Sequence, residues 1–148
     1  MKRWIVAAAL LAAGCANPMK DREPPPKPFV GTVWQVQLEL PMAGEQPHIR
    51  LGDGRLEGFG GCNRFNARYL QDSVGARAIA IGAINASKRM CDGSTMNAEN
   101  RVIEVLQSVS SYTITADIML MSGSGGTLKF KALPDAKDMD KDKEKEKK

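Results

Sequence analysis

One histidine, three cysteines and an aromatic content of 5% in 148 residues narrow the chemistry open to this chain. Serine-triad or cysteine-nucleophile catalysis needs a base, and His48 is the only histidine. It sits beside Ile49 in "HIRL", an alternating stretch that places it at the surface or rim of a sheet. A zinc site needs more nitrogen and sulfur ligands than Cys62, Cys91 and His48 supply at any recognised spacing. The carboxylates are scattered, and no pair of them is spaced for acid and base roles. The few aromatics offer no stacking platform for bases or sugars. "GSGG" at residues 123–126 lies between strand-like stretches and not before a helix, so it reads as a hairpin turn and not a phosphate cradle. The sequence therefore predicts no enzyme, no metal and no cofactor.

Long apolar runs are also missing. The one candidate, "MKRWIVAAALLAAGC", has a basic start at Lys2 and Arg3, an apolar run from Trp4 to Ala13, and Gly14 before Cys15. A bilayer core of ~30 Å takes about 20 apolar residues, so this run is too short to span. It reads as a secretory signal over residues 1–14. "LAAGC" resembles the bacterial lipobox, which implies that Cys15 becomes the mature N-terminus and carries lipid such as palmitate. Ordinary cleavage nearby, with Cys15 lost in the discarded peptide, is the alternative. Ala16 in place of Asp after Cys15 implies an outer-membrane anchor facing the periplasm.

Signal removal leaves about 134 residues, enough for one domain with a real core. It takes Lys2 and Arg3 with it and lowers the formal net charge from +4 to +2. So small a charge, with no basic stripe interleaved with aromatics, predicts no nucleic-acid partner. Residues 15–28 are proline-rich and charged, an extended tether reaching a few tens of Å at ~3.1 Å per residue. Residues 134–148 are Pro134 and then "DAKDMDKDKEKEKK", with six acidic and six basic side chains and almost nothing apolar. That composition predicts a disordered tail. The folded domain is expected over residues 29–133.

Within it, strand patterning dominates. In "GTVWQVQLEL" Trp34, Val36, Leu38 and Leu40 alternate with polar residues, a period of two that gives one buried and one wet face. "HIRL", the turn "GDG", "RLEGF", "ARYLQ", "AIAIGAI", "SYTIT", "IMLM" and "TLKFKA" follow. About eight strands with turns between them predict a mainly β (α+β) fold, a small antiparallel β-barrel or half-barrel. One segment departs from that rhythm. In "STMNAENRVIEVLQSVSSY" Val102, Leu106 and Val109 recur at spacings of four and three, which predicts an amphipathic helix. Glu99, Arg101, Glu104 and Gln107 are expected on its wet face. Ser94 or Thr95 is the expected N-cap, and Glu99 the residue that complements the helix dipole.

An exported small domain with two remaining thiols favours a disulfide between Cys62 and Cys91 over a nucleophile or a metal ligand. Closing that loop of ~30 residues would stabilise the fold by about 3.5 kcal/mol in the chain-entropy model.

"GTVWQV", "GRLEGFGGCNRFNARY", "ASKRMC", "NRVIEVLQSVSSYTI" and "GGTLKF" together resemble, in order, the motifs of the META domain family, the HslJ-like bacterial heat-shock lipoproteins. The resemblance covers residues 29–132. Ala67, Ser87 and Ala116 stand where that family usually has Gly, Thr and a turn Gly. The resemblance implies a small barrel with one helix, in which "GFGGCNRF" is a folding and cross-linking corner. Gly60 and Gly61 allow a tight turn, Asn63 bonds the turn backbone, and Phe65 returns to the core. A binding role for Asn63 and Arg64 at a barrel mouth is the competing reading of the same corner. For function it implies heat-shock or envelope-stress tolerance without naming a reaction. The leading expectation is a non-enzymatic, lipid-anchored envelope protein that binds another protein or supports the envelope. The alternative is a periplasmic lysozyme or protease inhibitor, or a small-ligand carrier.

Overall fold

Period-two alternation sends nine stretches of the chain into strands whose apolar faces need one another for cover. The computed structural model describes residues 24–72 and 77–134. Cys15, the signal, most of the tether and the tail from residue 135 lie outside the described residues. The elements run β1 (Val33–Val36), β2 (His48–Gly52), β3 (Arg55–Phe59), β4 (Arg64–Gln71), β5 (Ile79–Ile81), β6 (Asn85–Ala86), α1 (Gly93–Ser108), β7 (Val109–Thr115), β8 (Ile118–Gly123) and β9 (Gly126–Ala132). The strands pair antiparallel in the order β5-β4-β3-β2-β1-β9-β8-β7, with β6 also on β4. A bridge between Ala78 and Ser111, and a 3.0 Å bond from Tyr112 N to Arg77 O, bring the two ends of that order together. The result is a nearly closed antiparallel barrel with one helix.

Its interior is filled by the inward positions: Trp34 and Val36 from β1, Ile49 and Leu51 from β2, Met119 and Met121 from β8, Leu128 and Phe130 from β9. The helix packs against β5, β8 and β9 and adds Val102, Val105 and Leu106 to the same cluster. Phe29 stacks on Tyr112 with ring centroids 4.3 Å apart and meets Tyr69 edge-on at 5.9 Å. Burial pushes the Tyr69 phenol above its ordinary pKa.

Two expectations about the elements need correction, and one strand is additional. The first strand stops at Val36 and does not reach Leu40. Its partner β2 begins only after Pro47, whose carbonyl takes the Val36 N–H at 2.8 Å, and Pro41 has no N–H to continue a ladder. Leu38 still packs on the core, but Leu40 is 83% exposed. Val109 belongs to β7 and not the helix: its extended backbone caps α1 by donating to Leu106 O. The β6 strand was not foreseen, because two exposed residues carry no alternation to read.

The "GDG" turn joins β2 and β3 with positive φ at both Asp53 (48°) and Gly54 (72°), the arrangement that favours Asp-Gly in a two-residue hairpin. The β7–β8 hairpin solves the same problem less well. Ala116 adopts φ 52° there, in the left-handed region where a Cβ costs roughly 1–2 kcal/mol. Glycine would lose some of that gain to its greater unfolded-state entropy. Ala116→Gly is expected to raise stability by about 0.5 kcal/mol, read as a higher urea midpoint at unchanged slope. A lower midpoint would show that Ala116 is unstrained.

Candidate functional site

The "GFGGCNRF" corner lies between β3 and β4, and its geometry depends on one buried carboxylate. Glu99, on the second turn of α1, is 5% exposed. Its Oε2 accepts from Cys62 N at 3.2 Å and Asn63 N at 2.6 Å, while Oε1 accepts from Asn63 Nδ2 at 2.7 Å. Asn63, 4% exposed, passes the connection on: its Oδ1 accepts from Ser87 Oγ at 2.9 Å and from Arg89 N at 2.7 Å. Gly60 N donates to Asn63 O at 2.9 Å and closes the turn. The helix, the β3–β4 corner and the segment after β6 are thus joined through two side chains.

The two glycines are explained by what lies against them. A Cβ at Gly60 would fall 2.5 Å from Glu99 Cγ. At Gly61 it would fall 2.3 Å from Met42 Cε, and φ there is +111°. Met42 itself belongs to a loop tied by Gln46, whose Nε2 donates to Met42 O at 2.6 Å. Glycine at both places lets the carboxylate reach the corner from one side and the methionine close it from the other.

Cys62 and Cys91 form a disulfide across this corner, with Cα atoms 6.0 Å apart. Cys62 is buried and Cys91 exposed. Immediately after Cys91, Asp92 caps α1 by accepting from Thr95 N at 2.9 Å. The hydroxyl of Ser94 donates to Asp92, as does that of Thr95 at 2.6 Å. These bonds, the Ser94 one foremost, hold the Asp92 carboxyl well below the usual carboxylate range. Ser94 and Thr95 therefore serve the cap and are not the cap, because Asp92 offers two acceptor oxygens where each of them has one hydroxyl. Glu99 is likewise not on the wet face, and it lies beyond the first turn where the dipole acts. Its three buried N–H partners offset the desolvation of its charge.

The corner's two candidate binding residues separate. Asn63 is buried with its amide oxygen and nitrogen both engaged. Arg64 points outward, 5.9 Å from the ring centre of Phe59. His48 sits on the outer face, with Nδ1 3.1 Å from Gln46 O and 3.7 Å from Glu45. Among the described residues no group of three or more His, Cys, Asp and Glu is placed to hold a metal ion.

The META domain family profile matches residues 28–135. This chain belongs to the META domain family. No curated protein matches it. Its fold is similar to that of a Burkholderia xenovorans protein solved by NMR, at 18% identity and a TM-score of 0.60 over 72% of this chain and 85% of that one. A second NMR structure matches at 17% identity and a TM-score of 0.55, over 68% of this chain and 87% of that one. The crystal structure of a DUF4847 family protein from Bacteroides vulgatus matches at 16% identity and a TM-score of 0.50, over 70% and 93%. In this META domain the positions that depart from the usual motif are accommodated: Ala67 is buried in β4 and the Ser87 hydroxyl bonds Asn63.

Outside the corner, the wet face of β2, β3 and β4 forms an open groove of about 1040 Å³. Arg50, Arg55, Arg64, Arg68, Glu57 and Asn66 line it, with Gly82, Ala83 and Asn85 along one side. Of these arginines the sequence singled out Arg64 alone, and for the corner; it did not mark Arg50, Arg55 or Arg68. The signal was present: each occupies the polar phase of an alternating strand, opposite Ile49, Leu51, Leu56, Phe65 or Tyr69.

Proposed function

We propose that this META domain protein is a lipid-anchored, non-enzymatic component of the bacterial envelope that contributes to envelope or heat-stress tolerance by binding another protein. The observation that carries the reading is the contrast between the corner and the face beside it. At the corner, Glu99 and Asn63 spend their polar atoms on neighbouring backbone and side chains, which suits a folding role. On the adjoining face, charged side chains line an open groove. The barrel interior, filled by Trp34, Phe130 and their neighbours, gives the carrier alternative little support.

Anchoring rests on the "LAAGC" stretch and is tested at Cys15. In the expected outcome, Cys15→Ser abolishes labelled palmitate incorporation and moves the protein out of the detergent phase on partitioning. Photo-crosslinking in intact envelopes, before and after heat stress, is then expected to trap a protein partner with the wild-type chain. Unchanged palmitate labelling in the variant overturns the anchor, and crosslinks to lipid alone overturn the protein-binding reading.

A further inference from the structure

The outer face of β2–β4 is an ordered array of charge. Cross-strand register places His48, Phe59 and Arg64 in one row, Arg50, Glu57 and Asn66 in the next, and Gly52, Arg55 and Arg68 in the third. Rows on one face of a sheet lie roughly 6.7 Å apart, and neighbouring strands about 4.8 Å. Four guanidinium groups therefore spread over a patch on the order of 13 Å long, from Arg64 to Arg68 on β4. Glu57 is the one acidic side chain among the described residues that line the groove. Among the described residues, none of the four arginines has an ion-pair partner within 4.0 Å: the pairs found involve His48, Arg101 and Lys131.

The array combines one favourable cross-strand pair, Arg50 with Glu57, and one unfavourable one. Arg55 and Arg68 are direct cross-strand partners, and like charges in that relation destabilise a sheet. Gly52, next in the row, leaves the space beside Arg55 open. The charge is also not gathered at a single point, and with all four side chains exposed an anionic membrane surface is left to the test. One phosphate needs donors converging within ~3 Å, whereas these forks are spread along the groove.

We propose that the groove docks an extended acidic segment of a partner protein. In an extended chain, side chains on one face repeat at roughly 6.7 Å, the spacing of the rows. Alternate Asp or Glu side chains of such a segment meet Arg64, Arg50 and the Arg55–Arg68 pair in turn, and guanidinium forks donate to carboxylates in two-point contact. The Asn66 and Asn85 amides are available to its peptide groups, and the small Gly82 and Ala83 leave room for its backbone. The proposal rests on the protein-binding reading above and gives that reading a surface and a partner chemistry.

The test uses the full chain and a fluorescein-labelled polyglutamate peptide, followed by anisotropy at low and at physiological salt. Saturable binding that weakens with salt is expected. Arg55→Gln with Arg68→Gln should weaken it about tenfold or more, with the far-UV circular dichroism unchanged because both side chains face solvent. Lys129→Gln with Lys131→Gln removes the same charge from the outer face of β9 and should leave binding within about twofold. Amide shifts on titration should map to β2, β3 and β4. Absence of binding, equal loss in the two double variants, shifts mapping elsewhere, or tighter binding of oligothymidylate, inorganic phosphate or anionic phospholipid vesicles than of the peptide overturns the assignment. A partner crosslinked through another face while the peptide fails would sink the groove and leave the protein-binding reading standing; loss of both would sink the two together.

Discussion

Glu99→Ala is expected to destabilise the domain by about 3–4 kcal/mol, read as a lower urea midpoint and a fall in thermal midpoint of roughly 15 °C. The magnitude follows from what the carboxylate holds. Three donors, the backbone N–H groups of Cys62 and Asn63 and the Asn63 side-chain amide, all point at it from inside the protein. Each buried donor left without a partner costs about 1–3 kcal/mol, reduced where water enters the vacated space. Asn63 would then lose its fixed orientation, and with it the bonds to Ser87 and Arg89. Glu99→Gln keeps the shape but sets an amide NH₂ against an N–H donor, so a loss of about 1–3 kcal/mol is expected. On the same helix, Glu104→Ala removes an exposed carboxylate paired only with exposed Arg101 and should change stability by less than about 0.5 kcal/mol. Equal effects of Glu99→Ala and Glu104→Ala would show that the buried network contributes nothing.

Much of the barrel was legible because burial imposes a period of two. Ile49 and Leu51, Leu56, Phe65 and Tyr69, and Leu128 and Phe130 each alternate with polar residues, and the register follows. Where burial stops, the signal fails. Leu40 keeps the alternation but has no partner strand, and β6 is too short and too exposed to show a pattern. Glu99 is the instructive case. It stands three residues before Val102 and seven before Leu106, which is the spacing of one helix face, so position alone points to burial, against the wet face expected for it. Residue type argued the other way, because an isolated carboxylate is rarely buried without partners. Those partners are two backbone N–H groups and the Asn63 amide, presented by a corner 36 to 37 residues away in sequence, and nothing local announces them. The arginine groove was legible in part for the same reason as the core: alternation that fixes the apolar face fixes its opposite too. What the linear sequence hides is that three hairpin-linked strands bring the four arginines side by side.

Removing the bridge by Cys62→Ala with Cys91→Ala is expected to lower stability by about 2–4 kcal/mol. A non-reduced digest of the wild-type protein should yield one peptide pair joined through these residues. The catalytic and metal readings of the same cysteines predict the reverse, a change of activity or a chelator-sensitive fold with little effect of reduction. Two mechanisms could supply the bridge's contribution, and they differ in a measurable way. If it acts on the unfolded chain by closing a loop of sequence separation 29, its effect is blind to the state of the corner. If instead it holds the native corner in place, it shares its work with Glu99, which bonds Cys62 N directly. A double-mutant cycle between Glu99→Gln and the cysteine pair separates these, Glu99→Gln being the milder of the two Glu99 substitutions. Contacting residues that act on one structure couple by about 0.5–3 kcal/mol, while independent effects add to within about 0.5 kcal/mol. We expect additivity: Cys91 is exposed and precedes a helix start already fixed by Asp92, and the corner's orientation is set by the Glu99–Asn63 bonds. Coupling above about 1 kcal/mol would overturn that account and make the disulfide a clamp on the native corner.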